Sequence, residues 1–211
     1  MVKKLFSEQE RKNISQAVAD VEKHTRGEIV PMIVESSGAY AWVHLLGALL
    51  GLALVSIFII FWNLKGDWPF EWEEIFFAQG CGIALGVGLS AIPAIKRFLI
   101  PKSTLDEEVH EAALASFMAQ GIHETRDHTG ILIYISLFEH QVEILADKGI
   151  HQVIGKNDFW QAQSDTIVVE IRRGQASAGL IQAIQIIGKI LAEHFPPQGD
   201  NPNELHNELR G

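Results

Sequence analysis

Residues 41–62 read AWVHLLGALLGLALVSIFIIFW, and residues 75–95 read IFFAQGCGIALGVGLSAIPAI. Neither stretch contains an Asp, Glu, Lys or Arg, although these residues make up 20% of the chain. As an α-helix, each stretch would be about 32 Å long, enough to cross a hydrocarbon core of about 30 Å. We therefore predict two transmembrane helices, 41–62 and 75–95. The alternative is a pair of buried core helices, which are usually shorter and carry a polar stripe.

Charged residues flank the two apolar stretches asymmetrically. The connector, residues 63–74, is acidic, and Lys65 is its one basic residue. The opposite flanks carry five basic residues: Lys23, Arg26, Lys96, Arg97 and Lys102. Because basic flanks stay on the cytoplasmic side, we expect a multi-pass protein of the inner (plasma) membrane of a bacterium. Both termini would lie in the cytoplasm, and residues 63–74 would form an external loop.

Small residues recur at four-residue intervals in both apolar stretches. The first has Gly47 and Gly51, and the second has Gly82, Gly86 and Ser90. This spacing predicts close packing of the two helix backbones. Channels and transporters normally carry ionisable groups at depth in the membrane, so the absence of Asp, Glu, Lys and Arg favours an anchor that contacts the lipid bilayer.

The overall composition excludes some classes of protein. The chain of 211 residues has 17 Lys and Arg against 26 Asp and Glu, a net charge of −9. A nucleic acid is therefore not an expected partner, since nothing resembles a basic stripe that could displace counterions from phosphates. Cys81 is the one cysteine, which excludes an intramolecular disulfide and a cysteine-based zinc cluster.

Two polar segments surround the apolar pair. The first predicts a helix over about Ser7–Thr25 with a capping box, then a strand at Glu28–Glu35, in which Pro31 predicts an edge position or a bulge. In the second, the apolar run Ile131–Phe138 predicts a central buried strand. Before this strand we expect a helix with a capping box at Ser103 that reaches Gly121. After it we expect an exposed turn at Glu139 and His140 and a hairpin strand at Val142–Asp147. Two helices ending near Arg173 and His194 and a disordered tail, 198–211, complete the prediction.

Neither polar segment can bury a hydrophobic core by itself, because the first offers only one helix and one strand. We therefore predict a single split cytoplasmic α/β domain built from residues 1–36 and 103–195. The alternative is two separate cytoplasmic modules.

Four stretches carry a resemblance to a known family. They are Phe6-Ser7-Glu8-Gln9-Glu10, VEKHTRGEIV at 21–30, HTGILIYISL at 128–137 and QVEILADKGI at 141–150. Together they resemble the TPM domain family, named for a thylakoid lumen phosphatase, a photosystem repair protein and a receptor modulator. The chain is similar to bacterial membrane proteins of that family that carry an internal hairpin. The resemblance implies an α/β sandwich with a central sheet flanked by helices.

Family membership also implies expectations for function. Members are linked to the maintenance of membrane proteins, and some to acid phosphatase activity or divalent-metal binding. This chain has Arg126-Asp127-His128-Thr129-Gly130 where members often have Asp-Asn-Gly before the central strand. No complete catalytic constellation is evident. We therefore expect a membrane-anchored, non-enzymatic interaction or maintenance module for other membrane proteins; the alternative is a divalent-metal-dependent acid phosphatase.

A candidate site is expected where the loop before Ile131 meets the loop after Ala146, since ligands gather at strand ends in α/β sheets. Asp127 and Asp147 are carboxylates suited to a hard cation such as Ca²⁺ or Mg²⁺, with His128 and His151 as weaker helpers. The alternative is a solvated polar loop.

Overall fold

The computed structural model describes residues 6–66, 70–155, 157–197 and 204–211. The elements within these ranges are α1 (Glu8–Glu22), β1 (Glu28–Val34), α2 (Trp42–Lys65), α3 (Trp72–Ser90), α4 (Pro93–Leu99), α5 (Lys102–Ala119), a 3-10 turn (Ile122–Glu124), β2 (Gly130–Ser136), β3 (Gln141–Ala146), α6 (Lys148–Ile154), α7 (Asn157–Arg172) and α8 (Ala176–His194). They divide into two compact units, one made of the described residues up to Gly38 and from Asp106 onward, the other of Ala39–Leu105.

The first unit is built on a sheet whose described strands lie in the order β1-β2-β3. The strands β1 and β2 run parallel, with Glu28 opposite Gly130 and Val34 opposite Ser136. The strand β3 pairs antiparallel with β2 through a short turn. A parallel pair requires a long crossover, and here that crossover contains the whole second unit.

Every residue of β2 is buried, which confirms its prediction as the central strand. Side chains alternate between the two faces of a strand, and the two faces of β2 lie in different cores. Ile131, Ile133 and Ile135 belong to a core formed with α1, α7 and α8. Leu132 and Tyr134 belong to a second core formed with α5. Helices therefore cover the sheet on both faces, and the predicted α/β sandwich is confirmed.

The first helix forms as the sequence predicts. Ser7 caps α1, its hydroxyl accepts a hydrogen bond from the Glu10 backbone N–H, and the Glu10 carboxylate accepts one from the Ser7 backbone N–H. The second expected capping box does not form, because α5 begins at Lys102 and thus already includes Ser103. The backbone N–H groups of Thr104 and Leu105 bond instead to the carbonyl of Pro101.

The second unit consists of α2, α3 and α4. Among the described residues, α2 alone is long and apolar enough by itself to cross a membrane, and α3 with α4 qualifies only as a pair bent by 97°. The expectation of one continuous helix over 75–95 is therefore wrong. The helix breaks before Pro93, where Ile92 has extended backbone, because proline has no N–H to donate and disfavours helical conformation in the preceding residue.

The packing of α2 on α3 follows the predicted small-residue faces. A Cβ built on Gly47 would lie 2.5 Å from the carbonyl oxygen of Gly86, and one on Gly51 would lie 2.0 Å from that of Gly82. Only glycine at these positions permits so close an approach. The His44 ring and the Ser90 hydroxyl join the two helices at one end, 3.0 Å apart. Of the expected loop 63–74, residues 67–69 lie outside the described residues.

The expected tail is a further departure from the sequence-based predictions. Residues 198–203 lie outside the described residues, but residues 204–211 do not form a disordered tail. Leu209 is buried in the core that contains α1, and Arg210 forms a parallel bridge with Met32 of β1. The sequence did not predict this contact because Arg210 and its partners on β1 lie far apart along the chain.

Candidate functional site

The loop before β2 and the loop after β3 meet at the candidate site. The backbone N–H of Gly149 donates to the carbonyl of His128 at 3.1 Å. A Cβ on Gly149 would lie 2.5 Å from that oxygen and 2.7 Å from the carbonyl oxygen of Asp127. The approach of the two loops therefore depends on glycine at position 149. His128 itself has φ of 54°, a left-handed conformation that is uncommon outside glycine.

Asp147 and His128 contact each other in this site. Asp147 caps α6: its Oδ1 accepts a hydrogen bond from the Lys148 backbone N–H at 2.6 Å. Its Oδ2 lies 3.2 Å from Nδ1 of His128, which also lies 3.1 Å from the carbonyl oxygen of His123. Asp147 is buried. The Asp147 carboxylate therefore braces the two loops and begins a short helix that the sequence analysis did not predict.

Asp127 points elsewhere. Its Oδ2 lies 2.7 Å from an Nη1 of Arg26, in the loop between α1 and β1. The same guanidinium donates through Nε to the carbonyl of Pro196, and the Arg26 carbonyl accepts from the Thr129 hydroxyl. Asp127 thus links the β2 loop to the α1–β1 loop, and its carboxylate is not directed at Asp147.

His151, the fourth residue of the predicted cation site, is exposed on α6. Its backbone N–H donates to the Asp147 carbonyl. The structure therefore brings together two of the four residues, His128 and Asp147. Within the described part of the chain, no three His, Cys, Asp or Glu residues group as metal ligands. Binding of Ca²⁺ or Mg²⁺ by these residues stays a prediction.

A second polar cluster, which the sequence analysis missed, lies where β1 and β2 both end. Glu139, expected in an exposed turn, is buried. Its Oε1 accepts hydrogen bonds from the Ser36 hydroxyl at 3.1 Å and from the backbone N–H groups of Ser37 at 3.0 Å and Gly38 at 3.3 Å. Its Oε2 accepts from the Ser136 hydroxyl. This carboxylate therefore fixes the chain just before residue 39.

Hydroxyl groups complete this second cluster. The Ser37 hydroxyl lies 2.9 Å from that of Ser136 and 3.2 Å from that of Tyr134. Burial raises the pKa of the Tyr134 phenol, partly opposed by this hydrogen bond. Each hydroxyl is already engaged within the cluster, so the arrangement is that of a structural anchor. The signal in the sequence is the serine pair Ser36-Ser37 after β1, together with a Ser-x-x-Glu pattern, Ser136 to Glu139, at the end of β2.

Comparisons with known proteins agree with this architecture. The family model of the TPM domain matches residues 97–190. No curated protein matches the chain. A solved structure, the NMR structure of the BA42 protein from the psychrophilic bacterium Bizionia argentinensis, is similar in fold, with a TM-score of 0.61 and 21% sequence identity. The similarity covers 100% of this chain and 97% of that one. On this match, residues 97–190 of the chain correspond to a TPM domain.

Proposed function

We propose that this chain is a membrane-anchored TPM domain that serves as a non-enzymatic interaction or maintenance module for other membrane proteins. The unit of Ala39–Leu105 would lie in the inner membrane, and both termini and the TPM domain would lie in the cytoplasm.

The observation that carries the proposal is the exposed apolar surface of α2. The most apolar stretch of this helix has a mean hydropathy of 2.6, and only 11% of that stretch is buried. Leu45, Leu54 and Phe61 are each at least 60% exposed. A core helix of a water-soluble protein would be mostly buried, and contiguous apolar surface of this kind in water is rare in monomeric proteins. A lipid bilayer is the environment that matches this surface.

The short helix α4 supports the same placement. It is bent by 97° from α3, so if α3 crosses the membrane, α4 runs along its surface. It carries Lys96 and Arg97 together with Phe98, which is 87% exposed. Basic residues beside an exposed aromatic ring are typical of helices that lie at a membrane interface with anionic lipid headgroups. This interface would be the cytoplasmic one.

The non-enzymatic part of the proposal is supported by the engagement of the acidic groups. Asp127 is paired with Arg26, and Asp147 bonds to the first N–H of α6 and to His128. The hydroxyls of Ser37 and Ser136 are bonded to each other. These groups do not form a nucleophile and a general base that together face an accessible substrate. An interaction surface requires no such pairing.

Membrane integration is tested by carbonate extraction of membranes from cells that express the full chain. We expect the chain to stay in the membrane pellet. Leu54→Arg combined with Phe58→Arg should release or destabilise it, because each arginine at mid-span costs about 3 kcal/mol of insertion free energy. The matched control is Met118→Arg, at an exposed position on α5, which should stay in the pellet. Release of the wild-type chain by carbonate would contradict the proposal.

Activity is tested with the purified chain in detergent and a model phosphomonoester, with and without millimolar Mg²⁺ or Ca²⁺. We expect no turnover above that of heat-denatured protein. Cation-dependent turnover that is lost in Asp127→Asn or Asp147→Asn would instead establish the phosphatase alternative.

A further inference from the structure

The outer edge of β1 is occupied by a segment of the same chain. The Arg210 backbone N–H donates to the Pro31 carbonyl at 3.0 Å, and the Ile33 backbone N–H donates to the Arg210 carbonyl at 2.9 Å. One residue of the segment therefore uses both its donor and its acceptor on β1. This is the pattern by which an extended peptide adds to the edge of a sheet.

The same edge offers few backbone donors for pairing. In a strand, the N–H and the C=O of one residue point to the same side, so Ile29, Pro31 and Ile33 all face outward. The Ile29 N–H already donates to Oε1 of Glu22 at 2.9 Å, and Pro31 has no N–H. Of the outward N–H groups of these three residues, only that of Ile33 remains available, and Arg210 uses it together with the Pro31 carbonyl. The edge thus accepts a short segment in one register.

Side chains of the segment define what the edge accepts. Leu209 is 7% exposed and packs in the core formed with α1, α7 and α8, whereas Leu205 packs against the core formed with α5. The Arg210 guanidinium donates to the side-chain oxygen of Gln120. The edge therefore accepts a leucine, whose side chain is buried in this core, followed by an arginine, whose guanidinium bonds to Gln120. The sequence repeats Asn-Glu-Leu at 203–205 and 207–209.

Polar groups from two distant parts of the chain hold the remainder of the segment. The Glu28 carboxylate accepts hydrogen bonds from the backbone N–H groups of Glu204 and Leu205, each at 3.3 Å. Oε2 of Glu22 accepts from the Asn207 amide. The Glu204 carboxylate accepts from the Arg126 backbone N–H at 2.9 Å. The segment is thus held by the two backbone bonds of Arg210, a few longer or charge-dependent bonds and one buried leucine.

We propose that the outer edge of β1 is a docking site for an extended peptide that carries a Leu-Arg pair, and that residues 204–211 are its resident occupant. A segment of a partner membrane protein with this pair displaces the resident and bonds to Pro31 and Ile33 in its place. The proposal rests on the function proposed above, because it names the surface by which the module recognises its partner.

The test uses the full chain in detergent and a fluorescent synthetic peptide of residues 203–211, NELHNELRG, with binding followed by fluorescence anisotropy. Leu209→Ser in the chain should loosen the resident segment. We expect this variant to bind the peptide at least tenfold more tightly than the wild-type chain does. The matched control chain is Glu208→Ser, at the adjacent exposed position, which should bind like wild type. A peptide with serine in place of its second leucine should bind neither chain.

Gln120→Ala in the Leu209→Ser chain should weaken peptide binding several-fold, because the partner of the arginine is lost. Equal peptide binding by the Leu209→Ser and wild-type chains would overturn the proposal. If Leu209→Ser fails to melt cooperatively, Arg210→Ala takes its place with the same expected outcomes. Dimers between the loosened variant and the wild-type chain, seen by light scattering, would identify a second copy as the occupant and would also overturn the proposal.

The outcome is separable from that of the proposed function. Loss of the chain from carbonate-washed membranes would contradict membrane anchoring without affecting peptide binding. Absence of peptide binding would remove this docking site without affecting anchoring.

Discussion

Gly51 and Gly82 face each other so closely that a Cβ on Gly51 would lie 2.0 Å from the carbonyl oxygen of Gly82. The second glycine pair is equally close, since a Cβ on Gly86 would lie 2.0 Å from the carbonyl oxygen of Gly47. The backbones of α2 and α3 thus touch along one line, as they do in membrane helix pairs that use small residues four apart.

Gly51→Leu should therefore separate α2 from α3. In a chain with Cys81→Ser, cysteines at His44 and Ser90, whose side chains touch, should form a disulfide on mild oxidation. We expect Gly51→Leu to reduce the yield of this disulfide several-fold. The matched control is Gly88→Leu, where an added Cβ meets nothing within 4 Å. Equal yields in the two variants would show that the contact between the backbones is not required.

The orientation of the chain is tested by cysteine labelling in the Cys81→Ser background. Glu73→Cys lies at an exposed position in the first turn of α3, and Glu107→Cys at an exposed position on α5. Because the basic flanks predict cytoplasmic termini, an impermeant maleimide should label position 73 in spheroplasts and position 107 only after lysis. The reverse pattern would place the TPM domain outside the cytoplasm.

The buried carboxyl of Glu22 should make stability depend on pH. Burial, with a smaller contribution from the neighbouring Glu28, raises its pKa to about 8, although the hydrogen bonds from Ile29 and Asn207 oppose the shift. Between the unfolded value of 4.5 and about 8, the folded chain holds a proton that the unfolded chain releases. Stability from this group is therefore present below pH 4.5 and falls as the pH rises to about 8, with a slope of up to about 1.4 kcal/mol per pH unit.

Glu22→Gln should remove this slope, because glutamine does not titrate and can still accept from the Ile29 N–H. At pH 8.5 the variant should melt at a higher temperature than the wild-type chain, and at pH 5 the two should be close. Part of the slope should remain, since burial also raises the pKa of Glu28. Glu8→Gln, at an exposed position on the same helix, is the control and should follow wild type at every pH.

Asp147 should contribute to stability by capping α6. Asp147→Ala removes the acceptor for the Lys148 N–H and the contact with His128, and should cost about 1–2 kcal/mol of unfolding free energy, measured by thermal melting. His151→Ala, on the exposed side of the same helix, should cost less than 0.5 kcal/mol, about the usual limit for surface changes. Similar losses in both variants would show that the cap contributes nothing specific.

The predicted cation site gives a further test with the same protein. If Asp127 and Asp147 bind Ca²⁺ or Mg²⁺, millimolar cation should raise the melting temperature of the wild-type chain, and Asp127→Asn and Asp147→Asn should each reduce that rise. Arg26→Gln should increase it, because it frees the Asp127 carboxylate from its ion pair. No change in the wild-type melting temperature with either cation would remove the metal hypothesis.

Patterns of short period in the sequence were enough to predict much of the fold. The nearly continuous apolar run Ile131–Phe138 predicts a strand buried on both faces, and the residues around Ser7 predict the start of α1. Pro31 predicts an edge position or a bulge, and it lies in the edge strand β1, where a proline removes no hydrogen bond to β2. The glycines at 47, 51, 82 and 86 predict a tight helix pair. Each of these features depends on residues that lie within one turn or one strand of each other.

Only the tertiary structure decided which distant groups meet. The sequence could not place Asp127 on Arg26 or Glu139 against Ser36 and Ser37, because these partners are brought together by the parallel pairing of β1 with β2. Nor could it place residues 204–211 on the outer edge of β1, since the two segments lie far apart along the chain. Nor could composition reveal that Pro93 divides the second apolar stretch, since its residues are apolar on both sides of the break. Local sequence patterns thus determined the helices and strands. The polar clusters were determined by tertiary structure, because buried polar groups must form hydrogen bonds with whatever partners the fold brings near them.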